Sequence, residues 1–178
     1  MVRLAALTVF FLLPFAPLAA EPPPLDDKGR AMIVGMSPLT DVPVPDLDGK
    51  IVVVSFFASW CPPCTAEFQE LNKLRTRLPE ERVAIVALNI FELHFKKDSA
   101  ARMTRFLDRT KPTFAALGGE EDRRLADTFG GVRRIPSVYV YDPDGVPITA
   151  FIHEKGATKM HATADELETA IRPHLADG

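Results

Sequence analysis

Cysteine is nearly missing from this 178-residue chain, which holds two, Cys61 and Cys64, separated by Pro62 and Pro63. Two cysteines exclude the multi-disulfide framework that holds small exported domains together. They also leave too few ligands for a closed four-ligand zinc site, because His94, His153, His161 and His174 are scattered without ligand-like spacing. A basic tract is lacking, and the formal charge is −3, which argues against nucleic acid as a partner. Internal repeats are absent, so the length points to one domain with a substantial core. Long apolar runs are missing as well: the one that begins at Leu4 meets Pro14 and Pro17 before reaching the about 20 residues that a membrane span needs.

That first stretch has its own layout. Arg3 precedes the apolar segment, and small residues follow at Ala19 and Ala20. This is the pattern of a secretory signal peptide over residues 1–20, with cleavage after Ala20 and an uncleaved N-terminal anchor as the alternative. No cysteine follows the run, so a lipidated N-terminus is not available. Residues 21–38, opening Glu21-Pro22-Pro23-Pro24, read as a proline-rich linker, and residues 39–176 as the folded domain.

Within that domain, apolar patterning alternates between two periods. Residues 51–57, IVVVSFF, form a β-branched and aromatic run too short for a typical helix, hence a strand buried on both faces. From Thr65 to Leu78, the spacing of Phe68, Leu71, Leu74 and Leu78 predicts a helix with one apolar stripe. A second buried strand follows at 82–90, then a helix at 98–109 with Ser99 as its candidate cap. PTFAALG reads as a short strand, and residues 120–129 as a short helix ended by Gly130 and Gly131. Strands at 136–142 and 146–153 flank the Pro143–Gly145 turn, and a helix from Thr163 closes the chain, with Glu166 completing a capping box. The order predicts an α/β fold of three layers, with a central mixed sheet and helices on both faces.

The cysteine pair admits several chemistries. As a staple it closes a loop of about four residues, which removes little unfolded-state entropy. Two thiolates can hold Cu(I), although Met36, Met103 and Met160 occupy no motif-like position as a third soft ligand. Redox exchange accounts for the setting best. Cys61 sits where a buried strand ends and a helix begins, so amides of the first turn and the helix dipole stabilise its thiolate. Cys64, one turn on, can attack a mixed disulfide, and Trp60 shields the approach.

SFFASWCPPCTAEFQEL, VRRIPSVYVYDPDGV and DLDGKIVVVSFF resemble the thioredoxin superfamily, and more narrowly its exported TlpA/ResA/CcmG (DsbE)-type thiol–disulfide oxidoreductases. The resemblance implies a thioredoxin-like fold in which Pro136 is a cis-proline facing the disulfide; the plainer alternative is a trans proline opening a strand. It implies that Ile135 lines the substrate groove together with Trp60, Pro62 and Pro63. It also implies a helical insertion before PTFAALG, no bound cofactor, and a membrane electron donor of the CcdA/DsbD type. The clients it implies are apocytochrome c or copper-site proteins, in the periplasm. Where thioredoxin carries a buried Asp this chain has Ser55, and Glu67 stands where some relatives use a Glu. Two readings of Glu67 stay open: acceptor of the Cys64 proton, or a solvated helix residue. The Thr-x-x-Cys setting of a peroxidatic cysteine is missing.

Direction of electron flow follows from thiolate stabilisation. Pro62 and Pro63 delete two amide donors from the first turn, and Glu67 adds negative charge. Arg133 and Arg134 oppose this only as exposed charges. The expected couple is reducing, nearer about −270 mV than the about −120 mV of strong oxidants, with a general oxidant or isomerase as the alternative.

Overall fold

The structure, a computed structural model, describes residues 22–175; the expected signal sequence at residues 1–20 lies outside them. Among the described residues, six strands form one mixed sheet in the order β1 (Ser37–Pro38), β4 (Ala115–Gly118), β3 (Val83–Asn89), β2 (Ile51–Phe57), β5 (Ser137–Tyr141), β6 (Pro147–Ile152). Its centre is β2 (Ile51–Phe57), parallel to β3 (Val83–Asn89) on one side and antiparallel to β5 (Ser137–Tyr141) on the other. Every residue of β2 is buried. The alternation of a strand explains how. Phe57 packs on Phe68 and Phe106, whereas its neighbour Phe56 packs on Phe129 and Tyr139, across the opposite face.

Outside this centre, β4 (Ala115–Gly118) runs parallel to β3, and β6 (Pro147–Ile152) completes the hairpin with β5. Helix α2 (Pro62–Arg77) buries Phe68, Leu71 and Leu74. It starts at Pro62 rather than at the expected Thr65, because proline is well suited to the first helical position. The closing helix α5 (Ala164–Leu175) carries the expected box: the Thr163 hydroxyl and amide both donate to Glu166 Oε2, at 2.9 and 3.1 Å.

The linker reading of residues 21–38 is corrected by the structure. Residues Asp27–Gly35 form helix α1, capped by Asp26, whose side chain accepts from the Gly29 amide at 2.8 Å. Ser37–Pro38 then pairs antiparallel with β4 as β1. Leu25, Met32, Ile33 and Met36 are buried in the main core, so the folded unit begins well before residue 39. Two turns receive this segment closely. A side chain at Gly145 would meet the Leu25 carbonyl at 2.3 Å, and one at Gly130 would meet Pro23 at 2.5 Å. The Leu25 amide in turn donates to the Gly145 carbonyl at 2.8 Å.

Between β3 and β4 lies the expected insertion, built as a 3-10 helix (Glu92–Phe95) and helix α3 (Ser99–Thr110). Ser99 does not cap α3. Asp98 holds the cap position with φ 56° and makes no side-chain cap bond. Helix α4 (Asp122–Thr128) ends before Gly130 and Gly131, both at positive φ. No helix of the described residues is long and apolar enough to cross a membrane.

Candidate redox site

The site is assembled where β2 stops. Ala58 to Cys61 lead from β2 into α2, and the Cys61 amide closes that turn on the Ala58 carbonyl at 3.1 Å. Cys61 is the N-cap of α2, with Pro62 and Pro63 occupying the first two helical positions. Neither proline has an N–H to offer, so the first amide of the helix belongs to Cys64, and it donates to the Cys61 carbonyl at 3.2 Å. The two cysteines are joined as a disulfide. Cys64 is fully buried, while Cys61 keeps 3% of its surface exposed at the edge of an open groove that it shares with Trp60, Pro62, Thr65 and Arg109. An incoming group therefore has access to Cys61 and none to Cys64.

Pro136 follows a cis peptide bond from Ile135, in agreement with the resemblance and against the trans alternative. Strand pairing aligns Ser137 with Phe56, so Pro136 lies beside the end of β2, from which the turn to Cys61 departs. Its carbonyl accepts from the His153 amide at 3.1 Å, which ties this loop to β6. Ile135 is buried, and Arg134 pairs with Glu154 at 2.8 Å, leaving less of its charge free than the sequence suggests.

Glu67 is fully buried, which removes the solvated reading of this residue. The Ser55 hydroxyl on β2 donates to Glu67 Oε1 at 2.7 Å, and Oε2 has no hydrogen-bond partner among the described residues. Burial pushes its carboxyl up to about 8, and the Ser55 hydroxyl and the nearby Ala162 backbone offset that only in part. Ser55 and Glu67 thus meet in the core, one from the strand that leads to the cysteine pair and one from the helix that carries it.

The insertion adds residues that sequence reasoning misses. The Ser59 amide donates to Glu92 Oε2 at 2.8 Å, and the Ser59 hydroxyl donates to Glu92 Oε1. Arg102 reaches both partners, at 3.0 Å to Ser59 Oγ and 3.2 Å to Glu92 Oε1. The Trp60 indole N–H donates to the Phe91 carbonyl at 2.8 Å, and the Phe95 ring stands edge-on to the indole at 5.2 Å. Phe91 itself holds a left-handed backbone, φ 61°, with its amide on Asp122 Oδ1 at 2.7 Å. No periodicity marks these positions, because a single 3-10 turn is too short to show one. Among the described residues, no group of three His, Cys, Asp or Glu side chains is arranged to hold a metal ion.

Comparison with known proteins gives the same neighbourhood. The AhpC/TSA family model matches residues 36–147. A thiol:disulfide interchange protein DsbE homolog from Paracoccus denitrificans is 32% identical over 133 residues, covering 75% of this chain and 65% of the relative. The thiol-disulfide oxidoreductase ResA of Halalkalibacterium halodurans is 27% identical over 128 residues, covering 72% and 66% respectively. The chain thus spans just under two-thirds of the length of these two relatives. Among solved structures, StoA from Bacillus subtilis superposes with a TM-score of 0.57 at 20% identity, covering 76% of this chain and 92% of that one. At that identity the likeness establishes the thioredoxin-like fold.

Proposed function

Because the chain belongs to the AhpC/TSA family, and its relatives include thiol-disulfide oxidoreductases, we propose that it is an exported thiol–disulfide oxidoreductase that reduces client proteins. The observation that carries this reading is the Cys61–Cys64 disulfide at a strand-to-helix junction, with Cys61 lining an open groove and Cys64 fully buried. In the reduced protein the Cys61 thiolate attacks a client disulfide. A mixed disulfide forms, and the first client sulfur leaves as a thiolate that takes up a proton. In molecules whose Glu67 is ionised, a fraction that grows as pH rises towards about 8, Cys64 gives its proton to Glu67 and attacks Cys61 Sγ, which releases the second client thiolate and restores the Cys61–Cys64 disulfide. Two electrons pass to the client, whose second thiolate takes its proton from solvent while Glu67 gives the Cys64 proton back to solvent. No bound cofactor is needed, because the sulfur pair carries the electrons.

Glu67 suits its part because burial pushes its carboxyl up to about 8, out of the ordinary carboxylate range and towards that of a thiol, which makes it a stronger base for the Cys64 proton. Cys61, Cys64 and Glu67 are the reacting groups. Trp60, Pro62, Pro63, Ile135 and Pro136 line the client site. The signal-like residues 1–20 support export to the periplasm, where a reductant draws electrons from a membrane donor of the CcdA/DsbD type. Apocytochrome c and copper-site proteins are the client classes in view.

Trapping tests the reading. In Cys64→Ser the mixed disulfide cannot be resolved, so the variant should accumulate a client-sized adduct that dithiothreitol releases. A variant that captures no protein, beside a wild type that binds Cu(I) tightly through the same cysteines, would replace the oxidoreductase by a metal carrier.

A further inference from the structure

The groove beside Cys61 has an uneven electrostatic lining. It encloses about 380 Å³ between Ser59, Trp60, Cys61, Pro62, Thr65 and Arg109. Among the described residues Arg109 is the one charged residue in that lining, and it comes from the last turn of α3 rather than from the helix that carries the cysteines. Its guanidinium reaches a neutral partner, Thr65 Oγ1, at 3.3 Å, with no carboxylate within salt-bridge distance among the described residues. Arg102, on the same helix, is by contrast matched to Glu92, and Arg134 to Glu154. The acidic group of the site loop, Glu92, is already held by Ser59, Asn89 and Arg102. The lining also has an apolar part: Trp60, with the exposed Phe95 ring against it.

We propose that this groove is a client subsite that receives an acidic side chain placed next to the client's disulfide cysteine, with Arg109 as the residue that selects it. The inference rests on the thiol–disulfide reading and deepens it by naming a feature of the client. A carboxylate that enters alongside Trp60 is drawn out of bulk water as it meets the guanidinium, and an arginine offers it a two-pronged donor. A bland surface arginine at a helix C-terminus would interact with the helix dipole alone and show no preference among clients.

The test uses the reduced full chain and two synthetic peptides, each cyclised through one disulfide and differing in a single residue beside a cysteine, Asp or Asn. Exchange is followed by the fluorescence of Trp60, the sole tryptophan. Each rate is divided by that of dithiothreitol with the same peptide, which removes the effect of the Asp on its own disulfide. The Asp peptide should react roughly threefold to fivefold faster, the size of an exposed ion pair, and the ratio should fall towards one as salt is raised. Arg109→Gln should abolish the preference and Arg109→Glu should reverse it. A wild-type ratio of one overturns the subsite, as does an Arg109→Gln variant that slows both peptides alike and keeps the ratio. If the folded protein exchanges with neither peptide, the thiol–disulfide reading fails first, and that outcome is distinct from equal rates with both.

Discussion

Between pH 4.5 and about 8 the folded chain keeps a proton on Glu67 that the unfolded chain releases, because burial penalises the anion. The folded state binds more protons across that window, so stability falls as pH rises through it, by up to about 1.4 kcal/mol per pH unit. Glu67→Gln cannot ionise. It should match wild type below about pH 4.5, exceed it increasingly up to about pH 8 and keep a constant margin above that, as read from urea midpoints; a constant difference from about pH 4 to about pH 8 would contradict the buried acid. The same variant should release a mixed disulfide about tenfold or more slowly with its fold intact, in a dithiol-exchange assay, and an unchanged rate would remove Glu67 from the mechanism. At this scale much of the site is legible in the sequence. The Trp60–Cys64 motif and the Ile135–Pro136 pair are visible from residue type and spacing. The burial of Glu67 is also written in the chain, since it stands four residues before Leu71 and seven before Leu74 on the apolar stripe. Glu92 and Arg109 are not legible, because each reaches the site from more than 25 residues away through a fold that no local pattern encodes.

Elements are legible in proportion to the regularity of their patterning. Strand β2 and helix α2 announce themselves by an unbroken β-branched run and a helical stripe, and the Thr163–Glu166 box marks the start of α5. Helix α1 does not. Prolines surround it, Gly29 interrupts it, and its helical stability comes from docking Met32 and Ile33 rather than from local propensity. That difference has a measurable consequence. A chain beginning at Leu39 loses Leu25, Met32, Ile33 and Met36 from the core, each worth about 1.5–3 kcal/mol when fully buried. That sum is a large part of the about 5–15 kcal/mol that holds a typical domain folded. The shortened chain should unfold at a much lower urea concentration than one beginning at residue 22, and an unchanged midpoint would show that α1 is dispensable.

For the molecule as a whole, the reduction potential integrates every group that acts on Cys61. The two prolines withhold amides from its sulfur, and Arg109 is an exposed, screened charge that works in the opposite sense. Equilibration with a dithiothreitol buffer should place the couple nearer about −270 mV than about −120 mV, and a value above about −160 mV would mark an oxidant instead. The docking of the N-terminal segment has a different kind of consequence. The tip of a surface hairpin is ordinarily among the most permissive places in a protein. Here the tip glycine, Gly145, lies against the Leu25 carbonyl, and Gly130 lies against Pro23. A saturation scan should therefore find two turns, remote from the redox chemistry, that tolerate substitution as poorly as the core does. Their intolerance would record how tightly residues 23–25 are strapped down, and it would persist in a variant whose cysteines had both been replaced.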